Sequence, residues 1–225
     1  MTARYNSRVL TSTLLTILFP MICNGQQLSV GVNGGAAFFA GMHADRSYYT
    51  RPLKTEPYSA LTLSFTTGPY ELALRLAANP VEGVYHNYFL NNMVYAQNPF
   101  EIMLLGNKHY PIVRFDVYSG LAIGMMIYKN PGAASLANLY PTSEFATSSG
   151  NGLVAGIQAG CNYNLSRRID LNLEMAGYYT SIKAENNYLA KVSTMPVIKY
   201  HYSYVAFPVA VGVKYKFGPD ARKKK

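Results

Sequence analysis

The chain has 225 residues, 49% of them hydrophobic and only 14% charged, and a formal net charge of +9. That length accommodates one domain and is short for two. So little charge beside so much apolar surface is unusual for a soluble protein and calls for something other than a large water-facing fold to use that surface.

Arg4 and Arg8 precede an apolar run over residues 9–22, and Cys23, Asn24 and Gly25 lead out of it to Gln26 and Gln27. A basic start, a short apolar centre and small exit residues predict a secretory signal peptide over residues 1–25, cut after Gly25 or Gln26. The run is too short to span a bilayer comfortably. Acylation of Cys23 as a lipoprotein is the rival, but Pro20 and Ile22 are poor neighbours for a lipid-modified cysteine. Loss of Arg4 and Arg8 takes the charge from +9 to +7, and Cys161 is then the only cysteine, so no intramolecular disulfide is available. No later stretch resembles a transmembrane helix, because charges and glycines interrupt every apolar run.

From there the dominant period is two, the signature of β-strands. The first strand begins at Leu28, Val30 and Val32 and runs through Gly34 and Gly35 to about Gly41. Leu61, Leu63 and Phe65 mark the second; Tyr70, Leu72, Leu74 and Leu76, alternating with Glu71, Ala73, Arg75 and Ala77, mark the third. The fourth, ending in Phe100, Ile102 and Leu104, is interrupted by Pro99. Val113, Phe115, Val117, Leu121 and Ile123 make the fifth, residues 153–163 the sixth, and Ile169, Leu171, Leu173, Met175 and Tyr179 the seventh. The eighth, residues 205–217, sets Phe207, Val209, Val211, Val213, Tyr215 and Phe217 against Pro208, Ala210, Gly212, Lys214 and Lys216. In a closed barrel Pro208 predicts a bulge or a lost pairing, because proline has no ladder donor.

Long and short connections alternate without exception. Residues 42–57, 81–92, 129–150 and 182–199 are long; residues 67–69, 106–111 and 164–168 are short. Together with the even strand number this predicts an all-β fold, an eight-stranded antiparallel up-and-down transmembrane β-barrel over residues 26–217. Both termini then lie at the periplasmic rim, and residues 218–225 form a basic periplasmic tail. A soluble lipocalin-like barrel would also alternate. Its water-facing side would carry Thr, Lys, Glu and Gln, whereas the polar face here holds Gly120, Ala122, Gly124, Gly156, Gly160, Ala210 and Gly212, which suit a crowded interior.

Parity places Glu71, Arg75, Glu101, Arg114, Asp116, Asp170, Glu174, Lys214 and Lys216 inward, all near a short turn or the chain end. Mixed charge in a confined bore predicts a paired network that plugs it, with Lys214 and Lys216 serving Asp170 and Glu174; a conducting path would favour one dominant sign. Tyr70, Tyr163, Tyr215 and Phe217 fall on the apolar face near the periplasmic rim, where amphipathic rings favour the head-group layer.

His43, Asp45 and Ser47, with His86 and His201 near them, are the best catalytic candidates, but short polar residues are what any external loop contains. No nucleophile motif, phosphate loop or metal-ligand spacing accompanies them, so the reading assigns no catalytic residue, cofactor or metal. Tyr48, Tyr49, Tyr58, Tyr85, Tyr88 and Phe89 could form a contact surface or fold over the barrel mouth. The tail Arg222, Lys223, Lys224 and Lys225 lacks an aromatic-interleaved basic face, and an exported chain is not expected to bind nucleic acid.

The signal peptide, the first strand with Gly34 and Gly35, Tyr110 and Pro111 leading to Gly120 and Gly124, and the closing strand to Phe217 together resemble the small outer-membrane β-barrel domain proteins of Bacteroidota. More broadly they resemble the eight-stranded OmpA/OmpX type, a group that includes PorT-like barrels linked to secretion. The resemblance implies a non-enzymatic integral outer-membrane barrel, held by outer-membrane lipids and serving as a structural or accessory subunit of an outer-membrane assembly or secretion complex with a protein partner. A surface adhesin or ligand-binding barrel is the alternative, ahead of a narrow pore or a lipid-modifying enzyme at the outer rim. The basic tail beyond Phe217 departs from the aromatic ending usual in that group.

Overall fold

The period-two segments form strands that close on themselves into a barrel. In the computed structural model the described residues are 26–44, 55–78, 81–85, 93–97, 99–130, 147–187 and 198–218, so the predicted signal peptide and the tail beyond Gly218 lie outside them. The strands are β1 (Gln27–Ala44), β2 (Glu56–Thr67), β3 (Tyr70–Ala78), β4 (Val81–Tyr85), β5 (Met93–Gln97), β6 (Phe100–Ile112), β7 (Phe115–Asn130), β8 (Thr147–Asn164), β9 (Ile169–Asn187) and β10 (Ile198–Phe217). Eight of them close in the order β1-β10-β9-β8-β7-β6-β3-β2, every neighbour antiparallel. The additional pair β4-β5 is a separate two-stranded sheet where the sequence suggests only a long connection over residues 81–92.

Strand lengths differ from the sequence reading most on the β7 to β10 side. β7 continues to Asn130 and β8 starts at Thr147; β9 continues to Asn187 and β10 starts at Ile198. The polar residues there read as loop, yet they pair in unbroken register. The wall is therefore tall on one side, with strands of 16 to 20 residues, and low on the other, where β3 has only 9. About ten residues suffice for a tilted strand to cross a bilayer.

The tight connections and both barrel ends share one rim: Leu28 on β1 pairs with Phe217 on β10 and with Phe65 on β2. At that rim Gly68 adopts φ 56°, a left-handed conformation that glycine takes without steric cost. The next turn falls later than the sequence suggested from Gly106 to Pro111. β6 runs on through His109 and Pro111, and Val113 and Arg114 make the turn, with Ile112 paired to Phe115. Val113 is fully exposed at φ 52°, a sterically unfavourable conformation for a β-branched side chain. Asn164 ties this turn to the β8–β9 turn, its backbone N–H and its Nδ2 each donating to the Arg114 carbonyl at 2.9 Å.

Two irregularities relieve the ladders of β10. Between Ala40 and Met42 the β1–β10 register shifts by one, a bulge at Gly41. On its other side the β10–β9 ladder is interrupted opposite Phe207 and Pro208 and resumes in the same register at Val209 and Met175. Proline thus costs a local pairing without costing the register.

Alternation sends apolar side chains outward around the whole wall, with Val32, Leu72, Leu104, Leu121, Ile157, Leu173 and Val211 all exposed. Inside, two layers stack. Away from the tight turns the bore is apolar, filled by Tyr58, Met103, Leu105, Met126, Val154, Ile182 and Tyr204 among alanines. Toward the tight turns it is polar and charged.

Candidate functional site

The polar layer is built around Arg75. On β3 its neighbours are alanines on the inward face, so its stem has room, and the closing order places β3 four strands from β9 in either direction. Arg75 therefore reaches across the bore. Its Nη1 and Nη2 donate to Glu174 Oε1 and Oε2 at 2.5 and 2.6 Å, a bidentate ion pair with both side chains only 3% exposed. Arg75 Nε donates to Thr62 Oγ1 at 3.2 Å, and Nη1 also donates to the Tyr178 hydroxyl at 3.1 Å and to Gln158 Oε1 at 3.2 Å. Glu174 accepts one further bond, from the Tyr118 hydroxyl at 2.8 Å. A charge pair taken out of water holds only when its remaining donors and acceptors are satisfied in this way.

Neutral amides extend the network. Asn172 Nδ2 donates to the Tyr118 hydroxyl at 3.0 Å and to Asn162 Oδ1 at 2.8 Å, and Asn33 Nδ2 donates to Asn172 Oδ1 at 3.1 Å. Gln158 Nε2 donates to Asn107 Oδ1 at 2.6 Å, and Asn107 Nδ2 to Glu71 Oε1 at 3.0 Å. Glu71 is then held by Lys214, and His109 Nε2 stands 3.6 Å from it. The same imidazole sets Nδ1 2.7 Å from Asp116 Oδ2. At the rim Lys216 Nζ donates to Asp170 Oδ1 at 2.7 Å and to Asn164 Oδ1 at 3.1 Å.

Two inner-wall glycines make this layer possible. The Tyr118 ring lies where a Cβ on Gly160 would project, and the Tyr178 ring and neighbouring backbone crowd the same point on Gly156. Each tyrosine thus lies against the wall with its hydroxyl bonded into the network. Among the described residues a cavity of about 30 Å³ lies between Arg75, Glu174, Glu71, Tyr118 and Lys214, room for about two water molecules.

Of the nine residues that parity sends inward, Glu71, Arg75, Asp116, Asp170, Glu174, Lys214 and Lys216 line this layer. Arg114 does not: the turn takes it out of the strand, and it is exposed at the rim. Glu101 is buried, but at the opposite end, paired across the ladders with Ala77 and Met126 in the apolar layer. The pairing also differs from the neighbour-strand expectation. Lys216 serves Asp170, whereas Lys214 crosses to Glu71 because Arg75 occupies Glu174. Sequence reasoning missed His109, which takes the place in the network that parity gave Arg114, and the amides Asn107, Gln158, Asn162 and Asn172. The inward parity of Asn107 and His109 becomes legible once the turn is moved to residues 113 and 114, whereas Gln158, Asn162 and Asn172 already had it and read as ordinary polar residues.

Tyr70, Tyr163, Tyr215 and Phe217 stand on the outer face near the tight-turn rim, joined by Tyr110 and Phe115. Phe115 and Tyr163 have centroids 5.2 Å apart, and Tyr215 and Phe217 4.9 Å. Of the catalytic candidates, the side chains of His43, Asp45, Ser47 and His86 lie outside the described residues. His201 sits on β10 with Nε2 2.7 Å from the Ser181 hydroxyl oxygen. Among the aromatic residues suggested as a contact surface, Tyr48, Tyr49, Tyr88 and Phe89 also lie outside the described residues, while Tyr58 is buried in the bore.

These features define the fold class as a closed eight-stranded antiparallel barrel of the outer-membrane type, apolar outside and filled inside. No family model matches the chain. No curated protein matches it either. Solved structures do: outer membrane protein OprG from Pseudomonas aeruginosa superposes with TM-score 0.57 at 16% identity, covering 84% of this chain and 96% of that one. Neisserial surface protein A gives 0.53 at 10% identity over 86% and 97% of the two chains. A major outer membrane protein from Thermus thermophilus gives 0.52 at 13% identity over 85% and 99%. At such identities the likeness is one of fold.

Proposed function

We propose that the protein is an integral outer-membrane barrel that conducts nothing and catalyses nothing, and acts through its surfaces as a structural or accessory subunit of an outer-membrane assembly. The observation that carries this is the combination of an apolar wall around the full circumference with a bore crossed by the Arg75–Glu174 pair and capped by the apolar layer. An eight-stranded barrel has just enough interior for side chains, and this one uses it for packing. Its carboxylates are committed to partners around a cavity too small for a substrate. The rim of tight turns faces the periplasm, with both termini there, and the ring of Tyr70, Tyr110, Tyr163, Tyr215 and Phe217 lies at the head-group level. The glycine and aromatic pattern supports the Bacteroidota type, where secretion-linked barrels of the PorT-like group offer the model for an accessory role.

The test is purification from outer membranes in mild detergent. The proposal expects the mature chain in the outer-membrane fraction with a stoichiometric protein partner. A monomer without a partner would contradict the accessory role, and recovery from the soluble fraction would contradict the membrane assignment.

A further inference from the structure

The apolar outer wall has a dent. β6 turns Leu104, Gly106, Lys108 and Tyr110 outward in succession, and a Cβ built on Gly106 meets nothing within 4 Å. Its ladder partners Leu72 on β3 and Leu121 on β7 stand exposed on either side. A groove of about 410 Å³ opens over it, lined by Phe65, Tyr70, Leu72, Gly106, Lys108 and Ser119 among others, with the side chain of Glu71 behind it buried in the bore. That volume is within the range of sites that hold small ligands.

The groove is chemically two-ended. Phe65, Leu72 and the bare Gly106 backbone make an apolar trough. Lys108 and Ser119, opposite each other in the β6–β7 register, make a polar end beside Tyr70. Lys108 is exposed, with its ammonium 5.3 Å from the Tyr110 ring centroid, and no carboxylate among the described residues pairs with it. A lysine flanked by two outward tyrosines carries its charge at the depth where lipid phosphates lie.

We propose that this groove binds one anionic phospholipid of the leaflet nearest the tight turns. An acyl chain lies in the dent over Gly106, and the phosphate accepts hydrogen bonds from the Lys108 ammonium and the Ser119 hydroxyl. The inference rests on the membrane reading above. The sign of the charge selects the lipid class, and the continuity of the trough with the apolar wall selects a lipid over a soluble anion.

Native mass spectrometry of the mature barrel, released from detergent with equal amounts of phosphatidylglycerol and phosphatidylcholine of matched chains, tests it. Phosphatidylglycerol is expected to be retained about fivefold more, the effect of one lysine at an anionic head group. Lys108→Gln removes that preference. Gly106→Leu, which has open space to occupy, fills the trough and lowers retention of both lipids. Lys183→Gln, far along β9, changes neither. Equal retention of the two lipids by the unmodified barrel, or a preference surviving Lys108→Gln, overturns the site. The same preparations are scored for insertion into liposomes: a barrel that inserts without lipid preference overturns this inference alone, and one that fails to insert overturns the membrane reading with it.

Discussion

Arg75 and Glu174 show what a single position costs in this bore. Removing one partner strands the other as a buried charge, so Arg75→Met should destabilise the barrel by about 3–5 kcal/mol, whereas Arg75→Met with Glu174→Leu should lose far less than the two single changes together. Urea unfolding of the folded barrel in lipid vesicles measures this; strictly additive losses would mean that the pair is not coupled. Both residues were legible in the sequence, since strict alternation fixes the face of Glu71, Arg75 and Glu174. Their partners were not, because which side chains meet across a bore depends on strand order and closure. Neighbouring strands suggested Lys214 and Lys216 for Asp170 and Glu174, yet Arg75 reaches Glu174 from the far wall and Lys214 meets Glu71. The amides of Asn107, Gln158 and Asn172 escaped notice for a related reason: alone they read as ordinary polar residues, and only inside a closed wall do their donors become obligatory.

At the scale of the element, the apolar face announced every barrel strand, and the polar extensions of β7 to β10 did not announce themselves. Residues such as Ser148, Asn151 and Asn186 carry no period-two contrast, so their pairing follows from the neighbouring strand and not from their own pattern. The β6–β7 turn misled for a different reason. Gly106 and Pro111 are turn formers, but Gly106 serves as a dent in the outer wall and Pro111 sits at the last rung but one, leaving Val113 to take the left-handed conformation. Pro208 acts as its chemistry requires. The interrupted ladder opposite it leaves the Ala176 carbonyl without a β10 donor, because Pro208 has no N–H.

For the molecule as a whole, outside and inside make one argument. The wall is apolar where a solvated barrel would be polar, and the interior is filled where a channel would be open. Ion pairs spanning the bore and an apolar layer stacked on them leave no continuous wet path among the described residues, and the aromatic ring at the tight-turn rim gives the barrel a fixed depth in the bilayer. On the proposed reading, function belongs to the surfaces: the lipid-facing wall with its groove, the rim, and the connections of the opposite mouth. The most direct test of this account is single-channel recording of the folded mature protein in planar lipid bilayers. It predicts insertion without conductance steps; large, stable, voltage-tolerant steps from the unmodified protein would contradict it.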